Sequence, residues 1–434
     1  MTSPKVQEAL AQIQSSPDQP TAFESLLDNL KSISTPEAFA NDLKAILSTA
    51  FSSPAVGVVA QRAILDKYVG AVRGITSSNS SCGNADVWVD LGGHALAVLE
   101  SSAAAGQALT SGTFSDQAAA LRELVADGHE ANEDYDAAAR TLAEIPLDSS
   151  QRRVGAVDRV RVWVRIVRNY LEIDNTAAAE TYLNKLKNVI YQVDDPTLNL
   201  HFRLSQARIQ DAKREFLSAS QAYHDISLSS AISEDERLHT LSMAVKCAIL
   251  APAGPMRSRA LGRLFKDERS PNLDEFGMLE KMFFDRLLAP SEVEKFADGL
   301  APHQLALTAD GSTVLARAVV EHNLLAVSRL YNNIAFVALA AVLGSLDAAK
   351  AEDTTARMIE QGRLVGSIDQ IEGVVYFERG EASGEKGSGR AEVTVGREMR
   401  RWDANVQGLA EEVENVTNAL QREFPDFVAA NLVV

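Results

Sequence analysis

Three segments of the chain, Tyr135–Ile145, Thr176–Leu186 and Phe216–Ile226, repeat one pattern at intervals of about 40 residues, the length of a helix–turn–helix unit. In each, a small residue (Ala138, Ala178, Ala219) precedes a bulky one four positions later (Leu142, Tyr182, Tyr223). Residues four apart share a helix face, so the small residue lets a partner helix cross closely and the bulky one fills the gap beyond it. The stretch before the second copy carries a matching stripe, Val160, Trp163, Val167 and Tyr170. One such unit cannot bury its apolar face alone, whereas stacked copies can. The prediction is a mainly α fold with an N-terminal helical-repeat (TPR-like) superhelical arm. The Trp and Pro positions of the tetratricopeptide consensus are absent, so only the broader class is assigned.

Composition agrees with helix. Aromatic residues are 6% of the 434 residues, and Ala and Leu stand where a β protein would carry Val and Thr runs. Near the N-terminus, Phe23, Leu26, Leu27 and Leu30 fall at helical spacing. Thr35-Pro36 is predicted to cap a helix carrying Phe39, Leu43, Ile46 and Leu47. Ile75–Ala85, rich in Ser, Asn and Gly, is predicted as a loop before a long helix from about Val87.

The pattern changes near residue 290. Ser291 and Glu294 suggest a capping box. Thr313–Leu330 is predicted as a helix with Leu315, Val319, His322 and Leu330 on one side. An Asn333–Phe336 segment follows, then helices over Val337–Leu343 and Asp347–Gln361, with Gly362 as a left-handed cap. Leu364–Ile368 and Val374–Phe377 are predicted strands. That order is a winged helix. The hairpin strand Val374–Phe377 is expected to expose an edge for a partner's strand. Gly380–Arg390 has linker composition. Beyond it, Trp402, Val406, Leu409, Val413, Val416 and Leu420 alternate spacings of four and three, one narrow apolar seam that a bundle of other helices would bury. Glu411, Glu412, Glu414 and Asn418 occupy the other faces.

Chemistry is sparse. The seven histidines (His94, His129, His201, His224, His239, His303, His322) show no HxH or HExxH pair. Cys82 and Cys247, outside any CxxC, suggest a loop thiol and a buried one in a reducing compartment. Gly387-Ser388-Gly389 follows no strand, and Glu392 stands at the third glycine position of a dinucleotide fingerprint. No GxxxxGK[ST] or G-x-S-x-G occurs, and Asp310-Gly311-Ser312 is predicted as a helix-capping turn. Glu130, Glu133, Asp134 and Asp136 are predicted as a solvated turn. No catalytic, cofactor-binding or metal-ligating residue is assigned.

The formal charge of −17 opposes nucleic-acid phosphates. So do Asp347, Glu352, Asp353 and Glu360 against Lys350 and Arg357 on the helix that would read DNA. Met1–Leu10 has no basic or apolar signal character, and no apolar run is long enough to span a bilayer. Protein partners are expected, with neither nucleic acid nor membrane.

Several strings then carry a resemblance: Glu236-Arg237-Leu238, Cys247-Ala248-Ile249-Leu250-Ala251, Arg257-Ser258-Arg259 and Leu264-Phe265-Lys266-Asp267-Glu268-Arg269. They continue as Leu279-Glu280-Lys281-Met282, Pro302-His303-Gln304, Thr308-Ala309-Asp310-Gly311-Ser312 and Glu321-His322-Asn323-Leu324-Leu325. Tyr331-Asn332-Asn333-Ile334 and Ile368-Asp369-Gln370-Ile371-Glu372-Gly373 complete the set. Together they resemble the subunit-four family of the COP-nine signalosome (CSN), a family of PCI-domain proteins, most closely over residues 197 to 378.

The resemblance implies an arm over 1–196 and a PCI domain over 197–378, with a helical part to about 312 and a winged helix over about 313–378. A linker or insertion over 379–397 and a bundle helix with its tail over 398–434 would follow. It implies a non-catalytic scaffold subunit of a complex that removes a ubiquitin-like modifier from cullins and so regulates cullin-RING ubiquitin ligases. The implied partners are other PCI- and MPN-type subunits, including the catalytic zinc metalloprotease, with the cullin-RING ligase as the complex's substrate. The arm would help sense that substrate and activate the metalloprotease, in cytoplasm and nucleus. The expected subunit interface is Trp402, Val406, Leu409, Val413, Val416 and Leu420 with Val374, Val375, Tyr376 and Phe377. Gly380–Arg390 departs from the family pattern as an apparent insertion. Another PCI assembly such as the proteasome lid, or a winged-helix nucleic-acid-binding regulator, is the alternative.

Overall fold

The computed structural model describes every residue except 1, 17, 35–37, 54, 75–82, 105–112, 148–153, 308–310, 345–346, 379–389 and 432–434. The chain divides into two compact units, Met1–Ala212 and Lys213–Val434.

The first unit is helical throughout its described residues: α1 (Pro4–Ser15), α2 (Gln19–Ile33), α3 (Phe39–Ser52), α4 (Val58–Arg73), α5 (Gly83–Ala104), α6 (Ser115–Ala131), α7 (Tyr135–Ala143), α8 (Ala156–Glu172), α9 (Thr176–Lys187) and α10 (Pro196–Ala212). Phe23, Leu26, Leu27 and Leu30 of α2 are buried beside Leu43, Ile46 and Leu47 of α3, as their spacing predicts. The predicted Thr35-Pro36 cap and most of the Ile75–Ala85 loop lie outside the described residues, and α5 begins at Gly83, earlier than expected. The α8 stripe is buried at Val160, Trp163 and Val167, while Tyr170 stacks on Tyr182 of α9 with ring centroids 6.1 Å apart. α10 packs on α8 and α9, so the first unit extends to Ala212, past the expected boundary at 196.

The second unit holds α11 (Phe216–Ser227), α12 (Glu234–Leu250), α13 (Pro255–Phe265), α14 (Phe276–Phe283), α15 (Pro290–Ala297) and α16 (Val314–Leu330). Then come β1 (Asn333–Ala335), α17 (Phe336–Val342), α18 (Ala348–Glu360), β2 (Gly366–Asp369), β3 (Val374–Phe377), α19 (Arg390–Glu423) and α20 (Pro425–Asn431).

The repeat has a turn chemistry its sequence pattern left unread. Glu133, Asp174 and Arg214 have φ of 59°, 55° and 64°, left-handed backbone that non-glycine residues seldom adopt. Each immediately precedes the N-cap residue of the next helix, Asp134, Asn175 and Glu215. Asp134 accepts the Ala137 N–H and Asn175 the Ala178 N–H, both at 3.2 Å, closing α7 and α9 at their first turns. Counting from these caps, the buried small–large pairs are Ala138 with Leu142, Ala179 with Leu183, and Ala219 with Tyr223. The second copy is therefore shifted one residue from the expected Ala178 and Tyr182, which are only half-buried.

Other starts and stops follow local chemistry. Ser233 and Glu236 form a reciprocal capping box on α12. The Thr313 hydroxyl accepts the Ala316 N–H at 3.1 Å, so Thr313 caps α16; Asp310 lies outside the described residues. The expected Ser291–Glu294 box is corrected to Glu292 accepting the Ala289 N–H at 3.3 Å, because α15 begins at Pro290. Gly362, at φ +67°, ends α18, and the Arg363 N–H reaches back to Met358 O at 2.9 Å. Leu330, expected on the buried side of α16, is exposed at its end.

The three described strands order as β1-β3-β2, all antiparallel, with Ile334 and Ile368 both opposite Val375. A Cβ at Gly366 would stand 2.4 Å from Tyr376 O, so the β2–β3 approach requires glycine there. The sheet closes a core with Leu324, Phe336, Leu339, Ala351, Met358 and Leu364. Helix, strand, helix, helix and hairpin therefore build a winged helix.

Candidate functional site

The described residues of α19 carry one apolar stripe that is open to solvent along most of its length. Val406, Val413 and Leu420 make one row, and Trp402, Leu409 and Val416 the other. All but the half-buried Leu420 are between 46% and 64% exposed. Ala410, Thr417 and Ala419 flank the rows. Small flanks widen the apolar face beyond a two-helix seam edged by ion pairs, which suits packing among several helices. Glu411, Glu412 and Glu414 remain exposed. Phe424 and Phe427 add exposed aromatic surface at the far end, where α20 folds against α19. The helix starts at Arg390, earlier than the expected boundary at 398, and Gly380–Gly389 lies outside the described residues.

The strand half of the expected interface needs correction. β3 is the central strand, hydrogen-bonded to β1 on one side and β2 on the other, so Val374–Phe377 offers no free edge. Val375 and Phe377 are core residues, Val374 is half-buried, and Tyr376 alone is exposed. The sheet edges belong to β1 and β2. On α18, Arg357 is paired with Asp353, which leaves Lys350 as an exposed base on a helix that also exposes Asp353 and Glu360, a poor surface for phosphate contact.

The sequence reading did not foresee how Glu321, His322 and Asn323 act. All three are buried in mid-α16, and each reaches a different segment. The Glu321 carboxylate accepts from Arg363 (Nη2 at 3.1 Å, Nη1 on the other oxygen), Arg317 Nε (3.1 Å) and the Ala253 N–H (3.1 Å). Burial alone would push this carboxyl up; the Arg363 guanidinium and the remaining donors outweigh it and hold it below its ordinary value. His322 Nε2 lies 2.8 Å from Arg286 O, so that nitrogen donates, and Nδ1 faces Arg257 Nη2 at 3.5 Å as acceptor. Burial first, then the Arg257 charge, pushes His322 down to about 3, so it is neutral. Asn323 Oδ1 accepts the Leu288 N–H at 3.0 Å. Three adjacent polar residues between Val319-Val320 and Leu324-Leu325 are the signal that could have revealed this network. It joins α16, the α12–α13 and α14–α15 connections and the turn after α18, and so fixes the winged helix to the helices before it.

The remaining candidates are structural. Cys247 is fully buried, and Cys82 lies outside the described residues. Glu130 accepts from Arg165 (2.7 and 2.9 Å) and Asn169 (2.7 Å), which ties α6 to α8, while Asp134 caps α7. Among the described residues, no three His, Cys, Asp or Glu side chains gather as metal ligands, and no helix is long and apolar enough to cross a membrane.

A family model described as PSMD12/CSN4, N-terminal, matches residues 113–235, and one described as PCI domain matches 293–379. The chain is 56% identical to COP9 signalosome complex subunit 4 of Neurospora crassa, over 100% of this chain and 99% of that one. It is 47% identical to the same-named protein of Emericella nidulans over 96% and 97% of the two chains. With that of Dictyostelium discoideum it shares 43% identity over 73% and 76%.

Proposed function

Since the chain belongs to the family of COP9 signalosome complex subunit 4, we propose that it is a non-catalytic scaffold subunit of a signalosome, supporting removal of a ubiquitin-like modifier from cullins. The observation that carries this reading is the bare α19 stripe. Its a/d spacing fits helical partners, and its exposure leaves it unused by this chain's own core. Partner helices from other PCI- and MPN-type subunits bury it, and the outer edges of β1 and β2 supply a second docking surface. The helical arm helps sense the cullin-RING ligase and relays its binding to the metalloprotease subunit. The complex works in cytoplasm and nucleus.

The test is a tagged pull-down of the full chain from native lysate, with partners identified by mass spectrometry and cullin deneddylation assayed on the eluate. Signalosome subunits with deneddylase activity, absent from the isolated chain, are expected. Recovery of a different PCI assembly, or turnover by the purified chain alone, would overturn the reading.

A further inference from the structure

A groove of about 830 Å³ is lined by residues of α13, of α14 and the turn after it, and by Arg329 of α16. Phe283 and Phe284 line it, and Phe265 packs against both. Phe265 stacks on Phe283 with centroids 4.5 Å apart, and Phe284 sits edge-on to both at 5.5 and 5.1 Å. Part of this apolar surface reaches solvent, with Met256 60% and Phe284 49% exposed.

One wall is cationic. Arg259 and Arg263 of α13 and its C-cap residue Lys266 follow one another at spacings of four and three, and all are exposed. Among the described residues none of them pairs with a carboxylate. Asp285, the acid lining the groove, is already held by Arg329 at 2.7 Å. The chain as a whole carries −17, so this concave, positive, partly apolar surface runs against the rest of the molecule. The stripe of three cations is about 10 Å long at 1.5 Å per residue, which matches roughly three residues of an extended strand.

We propose that this groove binds an acidic peptide segment of a partner protein, with an aromatic or aliphatic side chain seated on Met256 and Phe284 and carboxylates facing Arg259, Arg263 and Lys266. Charge complementarity selects the acidic partner, and the apolar floor selects a peptide with an anchor over a bare anion. A polynucleotide is disfavoured because the chain's net charge of −17 repels phosphates that extend past the groove.

The test titrates the purified full chain with a fluorescein-labelled peptide of alternating Glu and Asp around one Phe, read by anisotropy. Two comparison ligands are the same peptide with Phe→Ala and a single-stranded oligothymidine of equal charge. Saturable binding is expected, weakened several-fold by the peptide's Phe→Ala change and about tenfold or more by R259E/R263E. Those side chains are exposed, so an unchanged melting curve of the double variant separates lost binding from lost folding. No saturable binding, unchanged affinity in R259E/R263E, indifference to the Phe anchor, or equal binding of the oligothymidine would each overturn the proposal.

Discussion

Arg363 grips both carboxylate oxygens of Glu321 across the junction between α16 and the turn after α18, and the same two side chains also hold the Ala253 backbone, N–H to Glu321 and carbonyl to Arg363. Glu321 is 3% exposed and the Arg363 side chain 15%, so removing either leaves its partner's charge buried. Arg363→Ala or Glu321→Ala should destabilise the second unit by about 3–5 kcal/mol. Denaturant unfolding of the full chain measures the loss, and a double-mutant cycle with Glu321→Gln/Arg363→Met should show strong coupling. Additive effects would mean that the two side chains act separately.

Acid should loosen the same junction. His322 is held down to about 3 against 6.5 when free, so between those values the unfolded chain binds the extra proton and stability rises with pH. The stabilisation is fully present above pH 6.5 and is lost as pH falls towards 3. Glu321, held below its ordinary value, adds a loss below about 4.5. His322→Gln should flatten the stability profile between pH 4.5 and 6.5, measured as melting temperature against pH. An unchanged slope would place the titrating group elsewhere.

The register of the repeats can be tested by overpacking. Ala179→Leu should cost about 1–3 kcal/mol, as Ala138→Leu and Ala219→Leu should, because each site is closed. Ala178→Leu, on a half-exposed neighbour, should be nearly neutral. Equal losses at 178 and 179 would contradict the cap-based alignment.

The left-handed turns give an independent check. Asp174→Gly should leave stability unchanged or raise it by up to about 1 kcal/mol, because glycine relieves the cost of positive φ at the expense of chain entropy. Asp174→Val should lower it by about 1–2 kcal/mol. Thermal melts of the two variants read the difference directly.

Leu409→Asp/Val413→Asp should leave the melting curve of the isolated chain within about 0.5 kcal/mol of the parent, since both side chains face solvent. In the complex the same pair would place unpaired charge in a buried seam, and co-purification of partner subunits should fail. Normal co-assembly of the double variant would remove α19 as the docking element.

Helices were legible where local chemistry repeats. The α2 and α3 stripes, the α8 stripe and Gly362 at the end of α18 each follow from spacing or from a residue's own backbone preference. The α19 seam was legible because a heptad needs no tertiary partner from its own chain to show itself. The second repeat was misread because Ala177, Ala178 and Ala179 run together. Only the Asn175 cap and the left-handed Asp174 fix which alanine faces inward. The centrality of β3 was hidden because β1 is a three-residue strand far away in sequence. Glu321 and Arg363 meet through tertiary folding, and no local period links positions so far apart.

The 34 residues of α19 extend about 50 Å, and the apolar stripe from Trp402 to Leu420 covers about 28 Å of that length. Apolar surface of that length left in water carries a hydration cost that a covering helix would remove. Chain whose stripe is bare is therefore distinguishable at its surface from chain whose stripe is covered.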